Sequence, residues 1–268
     1  MIPKEHACGQ CFPALRPTEG LGHARLEGRI PDQTGRTAVV TGANSGLGYV
    51  TARELARWGP GSWSPAGARC AAADGLVAEV PQAHAESLRL DLGDLTSVRE
   101  FADRLPYDRV DPPVNNAGVM MHALANIDPS DLNGSRRYRR WVAYARSKTA
   151  NLNFTHELAR RLAVPGTGVV AVAAHPGYAA TNLLTARSRA EGRRVAKRLV
   201  ELGNRIVAQP AEAGALPTLS EATAPDVRPD AFLGPSFAMW RGAPAPPRRA
   251  PWTLSDQMGS GSGRSPNA

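Results

Sequence analysis

Thr37-Ala38-Val39-Val40-Thr41-Gly42-Ala43-Asn44-Ser45-Gly46-Leu47-Gly48 decides the fold of this chain. Its first five residues are small or β-branched and read as a short buried strand. Gly42, Gly46 and Gly48 then fall where the chain must leave a strand and enter a helix. Larger side chains would obstruct the turn, the approach of a pyrophosphate to the backbone, and close packing of helix on sheet. The first N–H groups of that helix have no intrahelical partners, so this end attracts an anion. An apolar strand before the glycines and a helix after them distinguish a phosphate cradle from an ordinary glycine-rich turn. Asn44, Ser45 and Leu47 complete its backbone.

Working outward, the helix is expected from about Leu47 to Trp58, with Val50, Leu55 and Trp58 on its apolar face and Gly59 as its stop. Pro60–Cys70 carries two prolines and no β-branched residue, so the second strand is expected to be degraded there. A helix over about 71–80 follows, then a third strand over Glu86–Leu90 ending at Asp91. Leu95–Leu105 reads as a helix with Asp94 or Thr96 as its cap. Val110–Asn115 is the fourth strand and 138–162 a long helix. Val169–Ala173 reads as a buried strand leading into His175-Pro176-Gly177. Helices are expected over 186–207 and 211–222, and a short last strand over Phe232–Pro235. Alternating strands and helices define an α/β fold of Rossmann-like, doubly wound parallel type. The 268 residues fit one such domain over 31–241, with a disordered extension over 1–30 and a Pro-, Gly- and Ser-rich disordered tail over 242–268.

The formal net charge is +8, almost all of it from arginine, since only Lys4, Lys148 and Lys197 are lysines. Arg pairs at 136–137, 139–140, 193–194 and 248–249 raise nucleic-acid binding as a reading. No zinc-finger spacing or RNA-binding aromatic motif accompanies them, so solvated helix faces are the preferred reading and no nucleic-acid partner is expected. Cys8, Cys11 and Cys70 cannot form a disulfide framework, and Cys8-Gly9-Gln10-Cys11 lacks a second ligand pair for a metal. No metal site is expected. The sequence contains neither a long apolar run nor an apolar leader core, so no membrane partner is expected and a cytoplasmic location is the default.

Tyr144-Ala145-Arg146-Ser147-Lys148 places a phenol and an amine four residues apart on one helix face. A free tyrosine titrates near ~10, and a neighbouring ammonium favours its phenolate. Such a pair can move a proton at an alcohol or carbonyl oxygen.

Together with Asn115-Asn116-Ala117-Gly118, Pro176-Gly177 and Thr181, the glycine run and Tyr144–Leu152 resemble the short-chain dehydrogenase/reductase family. The resemblance implies an oxidoreductase that moves hydride between a nicotinamide cofactor, NADP (or NAD), and a small-molecule alcohol or ketone. It implies Tyr144 and Lys148 as the catalytic pair, with Lys148 also holding the nicotinamide ribose. Asp91 and Leu92 would lie at the adenine, and Asn116, Ala117 and Gly118 along the ribose. The first asparagine, Asn115, would steady the sheet. Pro176, Gly177 and Thr181 would lie at the nicotinamide and phosphates. Arg69 is the one residue pointing to a 2′-phosphate.

The spacing departs from the family in one place. Only 25 residues separate Gly118 from Tyr144, too few for a crossover helix, a strand and a serine loop before the tyrosine helix begins. Helix four, strand five and the substrate-binding serine are therefore expected to be missing, and Ser130, in a polar turn, is a weak substitute. A relative without turnover and a basic, arginine-rich binding protein stand as alternatives, and the formation of a homo-oligomer is left open.

Overall fold

A computed structural model describes residues 30–59, 62–66, 71–116, 127, 131, 138–164, 168–179 and 208–254. The cradle strand is β1 (Ala38–Thr41), followed by α1 (Gly46–Arg57), β2 (Ser62–Ala66), α2 (Ala71–Glu79) and β3 (His84–Ala85). Next come α3 (Leu95–Asp103), β4 (Pro113–Val114), α4 (Arg140–Leu162) and β5 (Ala173–Ala174). The chain continues with α5 (Ala211–Thr223), β6 (Phe232–Phe237), β7 (Arg241–Ala245) and a 3₁₀ turn, Pro251–Thr253. The fold is Rossmann-like α/β. One sheet has the order β3-β2-β1-β4 and is parallel throughout. A second has the order β5-β6-β7, parallel between β5 and β6 and antiparallel between β6 and β7.

Each element has a local cause. Val39, Val40 and Ala38 are buried on both faces, as a central parallel strand requires. Asp94 caps α3: its Oδ1 accepts the Thr96 N–H at 2.8 Å, which selects Asp94 over Thr96 as the cap. Trp58 closes α1, and Gly59 follows where a Cβ would collide with the Gln33 backbone. The core joins β1, α1, α2 and α5 through Val40, Leu55, Leu76, Val80, Leu216 and Leu219. Each such side chain contributes roughly 1.5–3 kcal/mol on burial.

α1 also carries a buried ionic cluster. Glu54 accepts from Arg53 and Arg57 at 2.8 Å, and Arg53 reaches Glu212 of α5 at 3.4 Å and Glu79 of α2 at 3.5 Å. The Tyr49 hydroxyl donates to Glu79 at 2.8 Å. Burial, with that carboxylate beside it, pushes the Tyr49 phenol well above its usual value.

Four expectations are corrected. The second strand does form: β2 pairs with β1 from Ala38↔Trp63 to Thr41↔Ala66. Pro65 is tolerated because β3 pairs only with Ser62 and Trp63, so the proline lies beyond the second ladder and removes little from it. The third strand lies at His84–Ala85 rather than Glu86–Leu90, because those two residues are the ones that pair with the start of β2, Ser62–Trp63. Val169 and Val170 are not a buried strand; they are 56% and 45% exposed, and β5 is confined to Ala173–Ala174. Among the described residues β5 pairs with β6 and with no other strand. The region after Gly242, expected to be disordered, contains the rest of β7 and the 3₁₀ turn through Thr253, because β6 offers an edge on which to pair.

Among the described residues, β4 and β5 end their sheets and do not pair with each other. The expected losses of helix four, strand five and the serine concern residues 119–137, which lie almost wholly outside the described residues. So do the extension over 1–29 and the expected helix over 186–207.

Candidate functional site

The cradle is built as its glycines require. Gly42 and Gly46 have φ of 66° and 61°, in the left-handed region that disfavours other residues. A Cβ on Gly48 would collide with the Asn116 side-chain amide and the Gly42 carbonyl. Ser45 occupies the N-cap of α1 yet makes no side-chain capping bond, and the first turn holds no acidic residue. The positive end of the helix is thus left for an external anion. Asn44 is exposed at the rim and Leu47 half-buried. The Asn116 amide donates to the Thr41 carbonyl at 2.9 Å, tying β1 to the chain leaving β4. The tie to β1 is therefore made by the second asparagine; Asn115, assigned that role from the resemblance, is exposed.

A second loop closes on this cradle. His175 Nδ1 accepts the Gly177 N–H at 2.7 Å, and Gln209 donates through its side chain to the Pro176 carbonyl at 2.6 Å. The Gln209 N–H donates to the Tyr178 carbonyl at 2.8 Å. Gly214 of α5 sits where a Cβ would press on Leu47, Ala179 and the Pro176 carbonyl together. Gly42, Leu47, Gly48, Asn116, Pro176 and Gly177 are thus brought into one neighbourhood. His175, Gln209 and Gly214 were missed as supports, because their role depends on contacts between distant segments; only the helical register of α5 was legible.

On α4, the Lys148 ammonium lies 5.5 Å from the centroid of the Tyr144 ring. Burial holds Lys148 below its usual value, since a desolvated ammonium is disfavoured. The buried stripe of α4 runs through Ala145, Thr149, Asn153 and Glu157, a polar face for a packed helix. Asn153 is fully buried, and among the described residues neither of its amide atoms has a hydrogen-bond partner. The far end of α4 is fastened to the C-terminal segment. His156 Nδ1 lies 2.7 Å from Asp230 Oδ2, and Arg249 donates to Asp230 Oδ1 at 2.7 Å and to the Thr253 carbonyl at 3.0 Å.

Asp91 performs a turn role. Its Oδ1 accepts the Gly93 N–H at 2.9 Å, and its own N–H donates to Ser97 Oγ at 3.0 Å. Leu92 is exposed, at the mouth of an apolar cavity of about 200 Å³ under α3, lined by Leu90, Val98, Phe101, Leu105 and Val110. Ala117, Gly118 and Thr181, with Arg69 and Ser130, lie outside the described residues.

The family model described as short chain dehydrogenase matches residues 36–133. Retinol dehydrogenase 12 of Mus musculus is 32% identical over 221 residues, which cover 62% of this chain and 67% of that protein. An uncharacterized protein from Mycobacterium paratuberculosis, solved by crystallography, aligns at a TM-score of 0.67 with 33% identity, covering 87% of this chain and 92% of that one. A Beutenbergia cavernae protein assigned as an NAD(P)-dependent gluconate 5-dehydrogenase, crystallised with NADP at low occupancy, aligns at 0.51 with 29% identity, covering 71% and 92%. This chain belongs to the short-chain dehydrogenase/reductase family, a family of oxidoreductases.

Proposed function

We propose that this chain is an NADP- or NAD-dependent oxidoreductase acting on a small alcohol/carbonyl pair. One observation carries this reading: a glycine-lined helix N-terminus, left uncapped by the Ser45 side chain, lies against the Pro176–Gly177 loop through Gly214. The cradle residues would hold the pyrophosphate, with Asn116 keeping the floor in place. Pro176 and Gly177 would lie along the nicotinamide, and Asp91 and Leu92 at the adenine end. The nicotinamide supplies or accepts the hydride. Tyr144 gives its phenolic proton to the carbonyl oxygen on reduction and takes it from the alcohol on oxidation. Lys148, its ammonium 5.5 Å from the ring centroid, would hold the ribose hydroxyls. NADP is preferred over NAD, supported by the NADP-bound relative.

NADPH titration followed by a panel of ketones and alcohols tests the reading. Tyr144→Phe is expected to retain NADPH binding and lose about 10²–10⁴-fold in kcat. An unchanged rate in that variant would remove Tyr144 from the chemistry. The short interval of 25 residues between Gly118 and Tyr144 favours one second reading, a relative that binds the cofactor without turnover. NADPH binding with no turnover across the panel would select it.

A further inference from the structure

We propose that the turn joining β6 to β7 forms the wall of the substrate cleft that meets an extended apolar group, with Phe237 and Trp240 as the selecting side chains. This rests on the oxidoreductase reading above and concerns the non-reacting end of the substrate.

β5 and β6 are parallel, so Phe237, the last residue of β6, lies at the same end of the sheet as the Pro176–Gly177 loop that leaves β5. Ligands of open α/β sheets bind beyond the carboxyl ends of the strands. The turn is fixed to that loop. The Tyr178 N–H donates to the Trp240 carbonyl at 2.9 Å, and the two rings lie 5.5 Å apart at 54°. A Cβ on Gly177 would collide with the same Trp240 carbonyl and with the Pro235 ring, so the two segments are in direct backbone contact.

The turn also presents apolar surface to solvent. Phe237 is 69% exposed and Trp240 45% exposed, one on each side of Ala238-Met239. Ala238 and Met239 both take positive φ, 49° and 58°, closed by the Trp240 N–H donating to the Phe237 carbonyl at 2.8 Å. Asn-Gly would satisfy this turn without strain. Keeping Ala-Met there retains backbone strain, a pattern that marks functional segments. Two exposed aromatics fixed beside the nicotinamide loop suit an apolar chain or ring leaving the reacting carbon.

The full chain is titrated with retinol, an extended apolar alcohol, with NADP present, following retinol's own fluorescence. Phe237→Ser and Trp240→Ser are each expected to weaken binding about tenfold, because each loses a large apolar contact. Trp240→Phe should recover most of the affinity, and NADPH binding should be unchanged in all three. Undiminished retinol binding in both serine variants overturns the proposal. So does a chain that binds NADPH but no retinol, which leaves the cofactor reading intact. A chain that binds neither overturns both readings. A chain whose retinol binding depends on Phe237 and Trp240, but which turns over no alcohol or ketone, keeps the wall and refutes the reaction.

Discussion

Glu221 is expected to weaken the fold as pH rises. It lies near the end of α5, 8% exposed, and its Oε1 has no hydrogen-bond partner among the described residues. Burial raises its pKa from 4.5 to about 7. The sign follows from linkage. A carboxyl whose folded value is raised costs nothing while it is neutral in both states, and destabilises the fold as rising pH ionises it. At ~1.4 kcal/mol per unit, this shift corresponds to a penalty of about 3 kcal/mol, fully developed above the folded pKa. Most of it should appear between about pH 5 and about pH 8. Glu221→Gln removes the charge while keeping the shape. Urea unfolding across that range should show the native chain losing about 2–3 kcal/mol relative to the glutamine variant, with the two curves converging at acid pH. Parallel curves would show that Glu221 is solvated or paired in the folded state and that the reasoning is wrong.

Three further outcomes are expected. Gly48→Ala should reduce NADPH affinity by about tenfold or more in calorimetric titration, because the added Cβ displaces Asn116 and closes the cradle. Arg249→Ala should cost about 1–3 kcal/mol in thermal unfolding, since it strips Asp230 and the Thr253 carbonyl of a largely buried donor. Asn153→Leu should raise stability by about 1–2 kcal/mol in chemical denaturation, replacing a buried amide that has no partner among the described residues with an apolar side chain of similar size.

Sequence alone determined what short-range chemistry dictates. The Val39–Val40 strand, the glycine turn, the stop of α1, the capped start of α3 and the Tyr144–Lys148 helix spacing were legible because propensity, periodicity and left-handed φ act over a few residues. It did not determine Pro65 in a strand, the shortening of the Val169 run, or the ordering of the chain past Gly242. Those depend on which strand offers a neighbouring edge: a distant one for Ala38↔Trp63 and Ala173↔Phe232, and the other arm of a hairpin for Gly234↔Ala245. The same holds for the site. Asn116 over Asn115, the meeting of Leu47 with Pro176 across Gly214, and the seating of Trp240 on Gly177 were set by tertiary packing, because each joins segments that no local pattern connects.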